Sequence, residues 1–392
     1  MPGVQRVVVI GAGVAGLAAA RALALRGVQV DVHEAGAPDA AADAGGGLQI
    51  APNGMKVLDA LGLGAAARRA GLANTAVALF DGLGGRRITR LDLAPHRAIG
   101  LDYLLFHRAD LIALLWQGAR DAGVGMHSGS RVSVLGADGD GVRLDFGGEA
   151  RTEALVLAAD GFHSTGRAVL NAGSVPFFTG QVAWRAVVPE APDSSRPTEV
   201  EVHLAPGRHL VSYPLRGGAC RNIVAVEERD HWAAEGWHHA DDPSRLRRAF
   251  AGSSARVRDL LARVEAPRLW GLYRHPVAPL WHGGGLALLG DAAHPTLPFL
   301  AQGANMALED AWVLAACLAT APTAEAFARY QALRRPRVLR AIAAANANAR
   351  NYHLRGPLRL GAHAVLRIGG ILAPRAALGR FDWLYRHDVT KM

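Results

Sequence analysis

The 392-residue chain is half hydrophobic and one-fifth charged, which suits a soluble globular protein long enough for two domains and a large core. A net charge of +9 raises nucleic acid as a partner, yet all but two of the 43 basic residues are arginines scattered among alanines and glycines. The densest basic stretch, RYQALRRPRVLR, has one aromatic, Tyr330, and not the repeatedly interleaved aromatics of a single-strand binder, so no nucleic-acid partner is expected. No apolar run reaches the roughly 20 residues of a membrane helix, and no secretory signal is legible. Two distant cysteines, Cys220 and Cys317, without His or Cys at ligand spacing, predict no metal and a cytoplasmic home.

In chain order, residues 7–10 form a β-branched apolar run, the pattern of a parallel strand covered on both faces. Gly11, Gly13 and Gly16 follow in G-x-G-x-x-G spacing and open a helix that Gly27 stops. The first glycine allows the tight turn, the second lets the backbone approach a pyrophosphate, and the third lets helix and strand pack closely. A second strand over 28–33 ends at Glu34, about 20 residues downstream, where an acid can take the ribose hydroxyls. A dinucleotide is expected here, NAD or FAD, because both use this motif.

Four runs, VGMHSG, RVSVLGAD, GVRLDFGG and RTEALVLAAD, are separated by glycine turns and predict a β-meander. Farther on, QVAWRAVVP, TEVEVHLA, RHLVSYPL and RNIVAVEER alternate as strands of an antiparallel sheet. One of its faces should cover the cofactor and the other should meet helices such as PSRLRRAFAG. His209 and Tyr213, four apart, point to one face of a strand. His238 and His239 read as loop residues. Residues 286–289 form another buried strand, ending at Gly290 and Asp291, whose carboxylate can accept a hydrogen bond from a polyol hydroxyl. Gly303, Ala304 and Asn305 then open a helix whose positive end favours a negative ligand group. His294, between them, reads as structural. A long helical pattern follows, TAEAFARYQALRRPRVLRAIAAANANARNYH, expected to bend at Pro336.

AADGFHSTGR resembles the D-G-x-x-S-x-x-R motif of the single-component FAD-dependent aromatic hydroxylases, matching at Asp160, Gly161, Ser164 and Arg167. GDAAHPTLPFLAQGAN is similar to the same family's second FAD motif. HRADLIALLWQGARDAG resembles its R-x-D-L helix, and GGGLQIAPNG its G-x-G-L-x-x-x-P-N loop. The H-x-x-x-Y-P pattern at His209 and the tail FDWLYRHDV resemble the salicylate and 3-hydroxybenzoate hydroxylase branch.

The resemblance implies an α/β fold: a Rossmann-like FAD-binding domain with a parallel sheet and inserted β-meander, a smaller antiparallel-sheet substrate domain, and C-terminal helices. The expected divisions are 1–175 for the first part of the FAD domain, with 70–100 lent to the substrate domain, then 176–275 for the substrate domain, 276–350 for the second part of the FAD domain, and 351–392 for a helical segment. FAD would be held non-covalently by Gly11, Gly13, Gly16, Glu34, Gly47, Arg108, Val132, Asp160, Asp291, Gly303, Ala304 and Asn305, with NADH or NADPH as co-substrate. His209 would remove a phenol proton, a task that suits a histidine at its ordinary pKa of about 6.5, with Tyr213, Pro298 and Gln302 around the ring.

The implied reaction hydroxylates a small aromatic hydroxy acid with O2 through a flavin C4a-hydroperoxide, in a monomer or homodimer. The same chemistry on a hydroxylated nitrogen heterocycle, a purine or hydroxypyridine, and a flavin-dependent reductase or dehydrogenase that never uses oxygen are the alternatives. Two departures from the family pattern stand out. Residues 35–50 carry no Arg or Lys, which puts more of the phosphate neutralisation on Arg108, and Gly54 replaces the usual alanine after P-N, which should loosen that loop.

Overall fold

A computed structural model describes residues 4–37, 46–193, 195–231 and 239–392. Its parallel sheet runs in the order His282–Gly283, Leu286–Leu288, Val156–Ala158, Arg6–Ile10, Gln29–Glu34, Gly125–Ser128, and only the first strand is antiparallel to its neighbour. One strand alone separates Arg6–Ile10 from Leu286–Leu288. Two stretches far apart in sequence therefore open their C-terminal ends almost side by side, the place where open α/β sheets bind ligands. Helix Val14–Ala24 packs close beneath the first strand because a Cβ on Gly16 would collide with the carbonyl oxygen of Gly11. Gly11 itself sits at φ +99°, open to few other residues.

The expected four-run meander is corrected. Gly125–Ser128 takes the edge of the parallel sheet and Val156–Ala158 its centre, while Ser133–Asp138, Gly141–Asp145 and Ala150–Glu153 alone form the three-stranded antiparallel meander. Runs of three or four residues carry too little periodicity to reveal their partners, and pairing decided between the two sheets.

The second sheet has eight strands, in the order His239–Ala240, Arg268–Arg274, Phe177–Pro189, Cys220–Glu228, Arg208–Leu215, Glu199–Ala205, Ala76–Asp81, Arg87–Asp92. The last two come from the 70–100 stretch. On one face Val182, Trp184, Leu210, Ile223 and Ala225 pack against Leu246, Phe250, Val257 and Leu261 of two short helices and the residues that follow them. On the other face Ala183, Val224, Val226 and Trp270 pack against Phe299 and Ala345. Strand alternation thus turns the odd residues of Arg208–Leu215 toward the motif-bearing half. His239, read as a loop residue, instead opens a short strand paired with Leu269; His238 lies outside the described residues.

The long helix Thr323–Tyr352 runs unbroken through Pro336 in its 30 residues. Its basic stretch faces inward at two places. Arg334, 1% exposed, pairs with Glu309 at 2.6 Å and Asp310 at 2.8 Å, and Arg337 pairs with Glu309 at 2.7 Å. Among the described residues no helix is long and apolar enough to cross a membrane.

Candidate active site

The groove at the C-terminal ends of the two motif strands is lined by groups that the protein uses in part and leaves open in part. A Cβ on Gly13 would meet nothing within 4 Å, so the start of helix Val14–Ala24 faces open space. Glu34 accepts from the Ala12 and Gly36 amides, both at 2.8 Å, which fixes the turn and leaves each carboxylate oxygen a further lone pair. Arg108 begins helix Arg108–Asp121, its amide donating to Gly46 O at 2.8 Å and its side chain exposed. Val132 is 7% exposed within the core, so only its backbone can reach a ligand.

In the D-G-x-x-S-x-x-R segment most polar groups serve the fold. Asp160 Oδ2 accepts from Thr165 N at 2.8 Å and Ser164 Oγ from Arg167 N at 2.9 Å, capping helix Thr165–Leu170. The Arg167 guanidinium donates to the carbonyls of Pro276, Ala292 and Ala293. Asp160 Oδ1 is buried without a partner, and it is the group in this segment that calls for a ligand.

Two carboxylates, Asp291 of the second motif and Asp310 on the helix that follows it, differ sharply. Burial would raise the Asp310 pKa, but His294 and Arg334 outweigh it and hold the pKa below the ordinary value; the bonds are 2.5 Å from His294 Nε2, 2.8 Å from Arg334 Nε and 3.2 Å from Gly290 N. His294 is therefore structural. Asp291 is accessible to solvent, yet burial, its largest influence, raises its pKa against the pull of His294 and Arg108. The two facts agree if the carboxylate faces a cavity within the fold rather than the outer surface.

Gly303 and Ala304 are half-buried at the start of helix Gly303–Thr320. Asn305 is buried and its amide is committed: Oδ1 accepts from Ala51 N at 2.9 Å, and Nδ2 donates to Gln49 O at 3.0 Å and Ala301 O at 2.8 Å. Gly54 does not loosen this region. It lies in the first turn of helix Pro52–Ala60, where a Cβ would collide with Asn305 Oδ1, so glycine permits the close approach. Gly47 N donates to Asn222 Oδ1 at 2.7 Å, and a Cβ there would collide with the Tyr213 hydroxyl. The motif loop therefore presses directly on the eight-stranded sheet.

On that sheet face His209 is 2% and Tyr213 4% exposed. Between them runs the row Val211, Val224, Arg185, set by the strand register. Burial first, and then His353, push the His209 pKa well below 6.5, which corrects the expectation of an ordinary histidine: the ring is neutral at pH 7. Burial pushes Tyr213 up to about 12, so it keeps its proton. The His209 ring packs 5.4 Å from Phe299 and 5.2 Å from Tyr352. Gln302 is buried and accepts from Asn53 Nδ2 at 3.1 Å, whereas Pro298 is exposed; Ala301 between them adopts a left-handed φ of +50°, a sparsely populated conformation for alanine.

Arg185 escaped the sequence reading. Its Nε is buried without a hydrogen-bond partner, its guanidinium carbon lies 5.0 Å from the Trp270 ring, and a Cβ on Gly46 would stand 2.6 Å from its Nη1. Only an address on the cofactor-facing side of a strand distinguishes it from the many other arginines, and QVAWRAVVP could have supplied that once the sheet was oriented. A surface cleft of about 310 Å³ lined by His282, Gln331 and Arg335 contains none of these residues.

The open cradle at Gly13, the orphaned Asp160 Oδ1 and the solvent-accessible Asp291 fit a long dinucleotide with phosphates at one end and a polyol near the other. Residues 5–345 match the family described as FAD binding domain. The 3-amino-4-hydroxybenzoate 2-monooxygenase of Streptomyces platensis is 35% identical over 356 residues, covering 89% of each chain. The 3-hydroxybenzoate 6-hydroxylase of Klebsiella oxytoca is 32% identical over 371 residues, covering 91% of each. HpxO of Klebsiella pneumoniae, solved with FAD and uric acid, is similar at a TM-score of 0.81 and 28% identity over 94% of each chain. The chain belongs to the FAD binding domain family, among its FAD-dependent aromatic monooxygenases.

Proposed function

We propose that the protein hydroxylates a small aromatic hydroxy acid with NAD(P)H and O2, using His209 as the base for the ring hydroxyl and Arg185 as the partner of the acid group. One observation carries this reading. A neutral histidine, a protonated tyrosine and an arginine with an unpartnered Nε share one buried face of the sheet, against which the Gly46–Gly47 loop is pressed.

FAD, bound non-covalently along Gly11, Gly13, Gly16, Glu34, Arg108, Asp160 and Asp291, with Gly47, Val132, Gly303, Ala304 and Asn305 lining the rest, supplies the redox and oxygen chemistry. The chain supplies position, dryness and proton handling. Attack on an electrophilic oxygen needs an electron-rich ring, and a phenolate is far richer than a phenol, whose pKa is near 10 like that of tyrosine. His209 accepts the proton at Nε2, since Nδ1 already faces His353. Tyr213 donates its hydroxyl hydrogen to a substrate oxygen and steadies the developing charge. A half-buried guanidinium with no counter-charge among the described residues is costly, and a substrate carboxylate offsets that cost, which favours an anionic ring. Trp270 and Phe299 exclude water, with Pro298 and Gln302 at the pocket wall.

The domain divisions at 1–175 with 70–100 lent away, 176–275, 276–350 and 351–392 are supported by sheet membership. Free Cys220 and Cys317 support a cytoplasmic protein, acting as a monomer or homodimer. A hydroxylated nitrogen heterocycle is the second reading, favoured by the uric acid bound in HpxO. The test is a panel beginning with 3-hydroxybenzoate and 3-amino-4-hydroxybenzoate, then hydroxypyridines and purines, scored by NAD(P)H consumed and labelled O2 incorporated. NAD(P)H oxidation with no labelled oxygen in any organic product rejects monooxygenation; incorporation into a heterocycle alone selects the second reading.

A further inference from the structure

The face that carries His209 also carries a hydrogen-bonded line that the proposed chemistry does not use. His209 Nδ1 lies 2.7 Å from His353 Nε2, and His353 Nδ1 lies 2.9 Å from Glu228 Oε1. Glu228 Oε2 pairs with Arg355 at 2.6 Å. Both histidines are buried, at 2% and 4%, while the Glu228 side chain is 38% exposed. The backbone clamps the three residues together, with Gly207 N donating to His353 O at 3.2 Å and Glu228 N to Gly207 O at 2.9 Å.

We propose that His353 is a positioning and proton-relay residue which, with Glu228, holds His209 in the tautomer whose Nε2 is bare and passes the substrate's hydroxyl proton from His209 to solvent. This rests on the reading of His209 as the base.

Each bond in the line needs one donor and one acceptor. Burial would raise the Glu228 pKa, but Arg355 and His353 outweigh it and keep the group an ionised carboxylate, which can only accept. His353 Nδ1 therefore carries a hydrogen, and the neutral ring presents a lone pair at Nε2. His209 Nδ1 must then carry a hydrogen too, which leaves the lone pair of His209 at Nε2. A carboxylate at the surface thus fixes the tautomer of a buried imidazole two links away.

When the substrate O–H bond breaks, its electron pair stays on oxygen and the proton bonds to His209 Nε2. His209 Nδ1–H passes its proton to His353 Nε2, and His353 Nδ1–H passes its proton to Glu228, forming a carboxyl O–H that exchanges with water. Passage in reverse returns a proton to the product's phenolate and restores both tautomers.

The surroundings disfavour storing the proton on the way. His209 is faced by His353, Phe299 and Tyr352, and burial and His353 both oppose a charge on it. His353 is faced by Glu228, Arg355, Arg208 and the Gln181 amide at 3.4 Å, and burial first, then the two arginines, oppose a charge there and outweigh the pull of Glu228. Tyr352, pushed up to about 12 by burial, keeps its own proton and is not a link.

The test uses the FAD-loaded full chain with nitrogen-labelled histidines. NMR of the parent at neutral pH should show His209 protonated at Nδ1 and bare at Nε2, and Glu228→Ala should give a mixture of tautomers; a protonated Nε2 in the parent overturns the proposal without any substrate. With the panel acid that the parent turns over, His353→Phe should slow product formation about tenfold to a hundredfold, as loss of an outer-shell partner does. Flavin reduction by NAD(P)H should stay unchanged, and the loss should shrink as pH rises toward about 10. His353→Gln can still accept from His209 Nδ1–H but cannot relay, so it should keep the tautomer and lose the rate. Normal hydroxylation in His209→Ala would remove the base reading itself. A slow His209→Ala beside a normal His353→Phe at every pH would remove the relay alone.

Discussion

Two buried polar clusters of this protein treat charge in opposite ways. Along helix Gly303–Thr320, Glu309 and Asp310 meet Arg334, Arg337, His294 and Asn53, with bonds of 2.5 to 2.8 Å. On the cofactor-facing side of the sheet, Arg185 Nε has no partner, His209 is neutral, and Tyr213 is pinned under glycine. His209 and Tyr213 are nearly as buried as Glu309 and Asp310, while Arg185 is half-buried, so burial alone does not mark function. What separates them is charge pairing: among the described residues the acids and arginines of the closed cluster have opposite partners, though Asn53 Oδ1 and His294 Nδ1 stay unbonded, whereas Arg185 of the open one has none and calls for something that is not protein.

The largest expected effect breaks the open cluster. His209→Ala should lower hydroxylation roughly a hundred- to ten-thousand-fold, the usual consequence of losing a general base. Flavin reduction by NAD(P)H should persist, with electrons diverted to hydrogen peroxide, and hydroxylation should partly recover as pH approaches about 10, where a phenol ionises unaided. Product and peroxide measured together decide it. Parental coupling at neutral pH would transfer the role to Tyr213 or an ordered water.

The converse change breaks the closed cluster. Arg334→Met removes the cation that Asp310 and Glu309 share, leaving Asp310 with His294 and Gly290 N and Glu309 with Arg337 and Asn53, so the loss of stability should stay below about 3 to 5 kcal/mol, the cost of a buried charge left wholly unpaired. Denaturant unfolding should show that loss while turnover per folded molecule stays near parental. A proportionate fall in turnover would mean that the two clusters are coupled rather than separate.

Asp291→Ala sharpens the comparison between the second motif and the helix that follows it. Removing a hydrogen-bonding partner should weaken FAD binding by about 1 to 3 kcal/mol, read by flavin fluorescence titration. The FAD-free protein should be no less stable, because burial already disfavours the Asp291 charge. Asp310→Ala should do the reverse, lowering stability and sparing FAD affinity. If Asp291→Ala holds FAD as tightly as the parent, the flavin is misplaced.

Much of this was legible before the fold was known, wherever local spacing carried the information. The glycine spacing at Gly11, Gly13 and Gly16 needs only a strand, a turn and a helix, and the period of two puts His209 and Tyr213 on one face. The D-G-x-x-S-x-x-R segment was legible as a motif, but its chemistry was not: the bonds of Arg167 to Pro276, Ala292 and Ala293 cross more than a hundred residues. Arg334 read only as one residue of the densest basic stretch, because its acids lie on another helix. His353 stands 144 residues from His209, and no spacing rule joins two imidazoles at that separation.

The smallest expected effect separates the clusters by acid titration alone. His209 and His353 have pKa values below the unfolded value of about 6.5, so the unfolded chain binds their protons first as pH falls. Their contribution to stability is complete above about pH 6.5 and declines below it. Glu309 is different: burial would raise its pKa, but Arg334 and Arg337 outweigh it and bring the value from 4.5 to about 2. Its contribution is complete above 4.5 and is lost as pH falls through about 2. Stability against pH should therefore descend in two limbs: His209 and His353 contribute to the upper one beside other histidines whose pKa burial lowers, such as His33 at about 4, and Glu309 contributes to the lower one beside Glu201, also at about 2. His209→Phe removes a titrating group that was neutral in the fold, so it should make the upper limb shallower and leave the lower one in place. Glu309→Gln should make the lower limb shallower at a general cost in stability from the arginines it no longer pairs. The unfolding midpoint measured in steps from pH 7.5 to about 2.5 for the parent and both variants resolves the two limbs. An upper limb that persists unchanged in His209→Phe would show that His209 does not titrate with the fold, and that His353 or another histidine carries the limb alone.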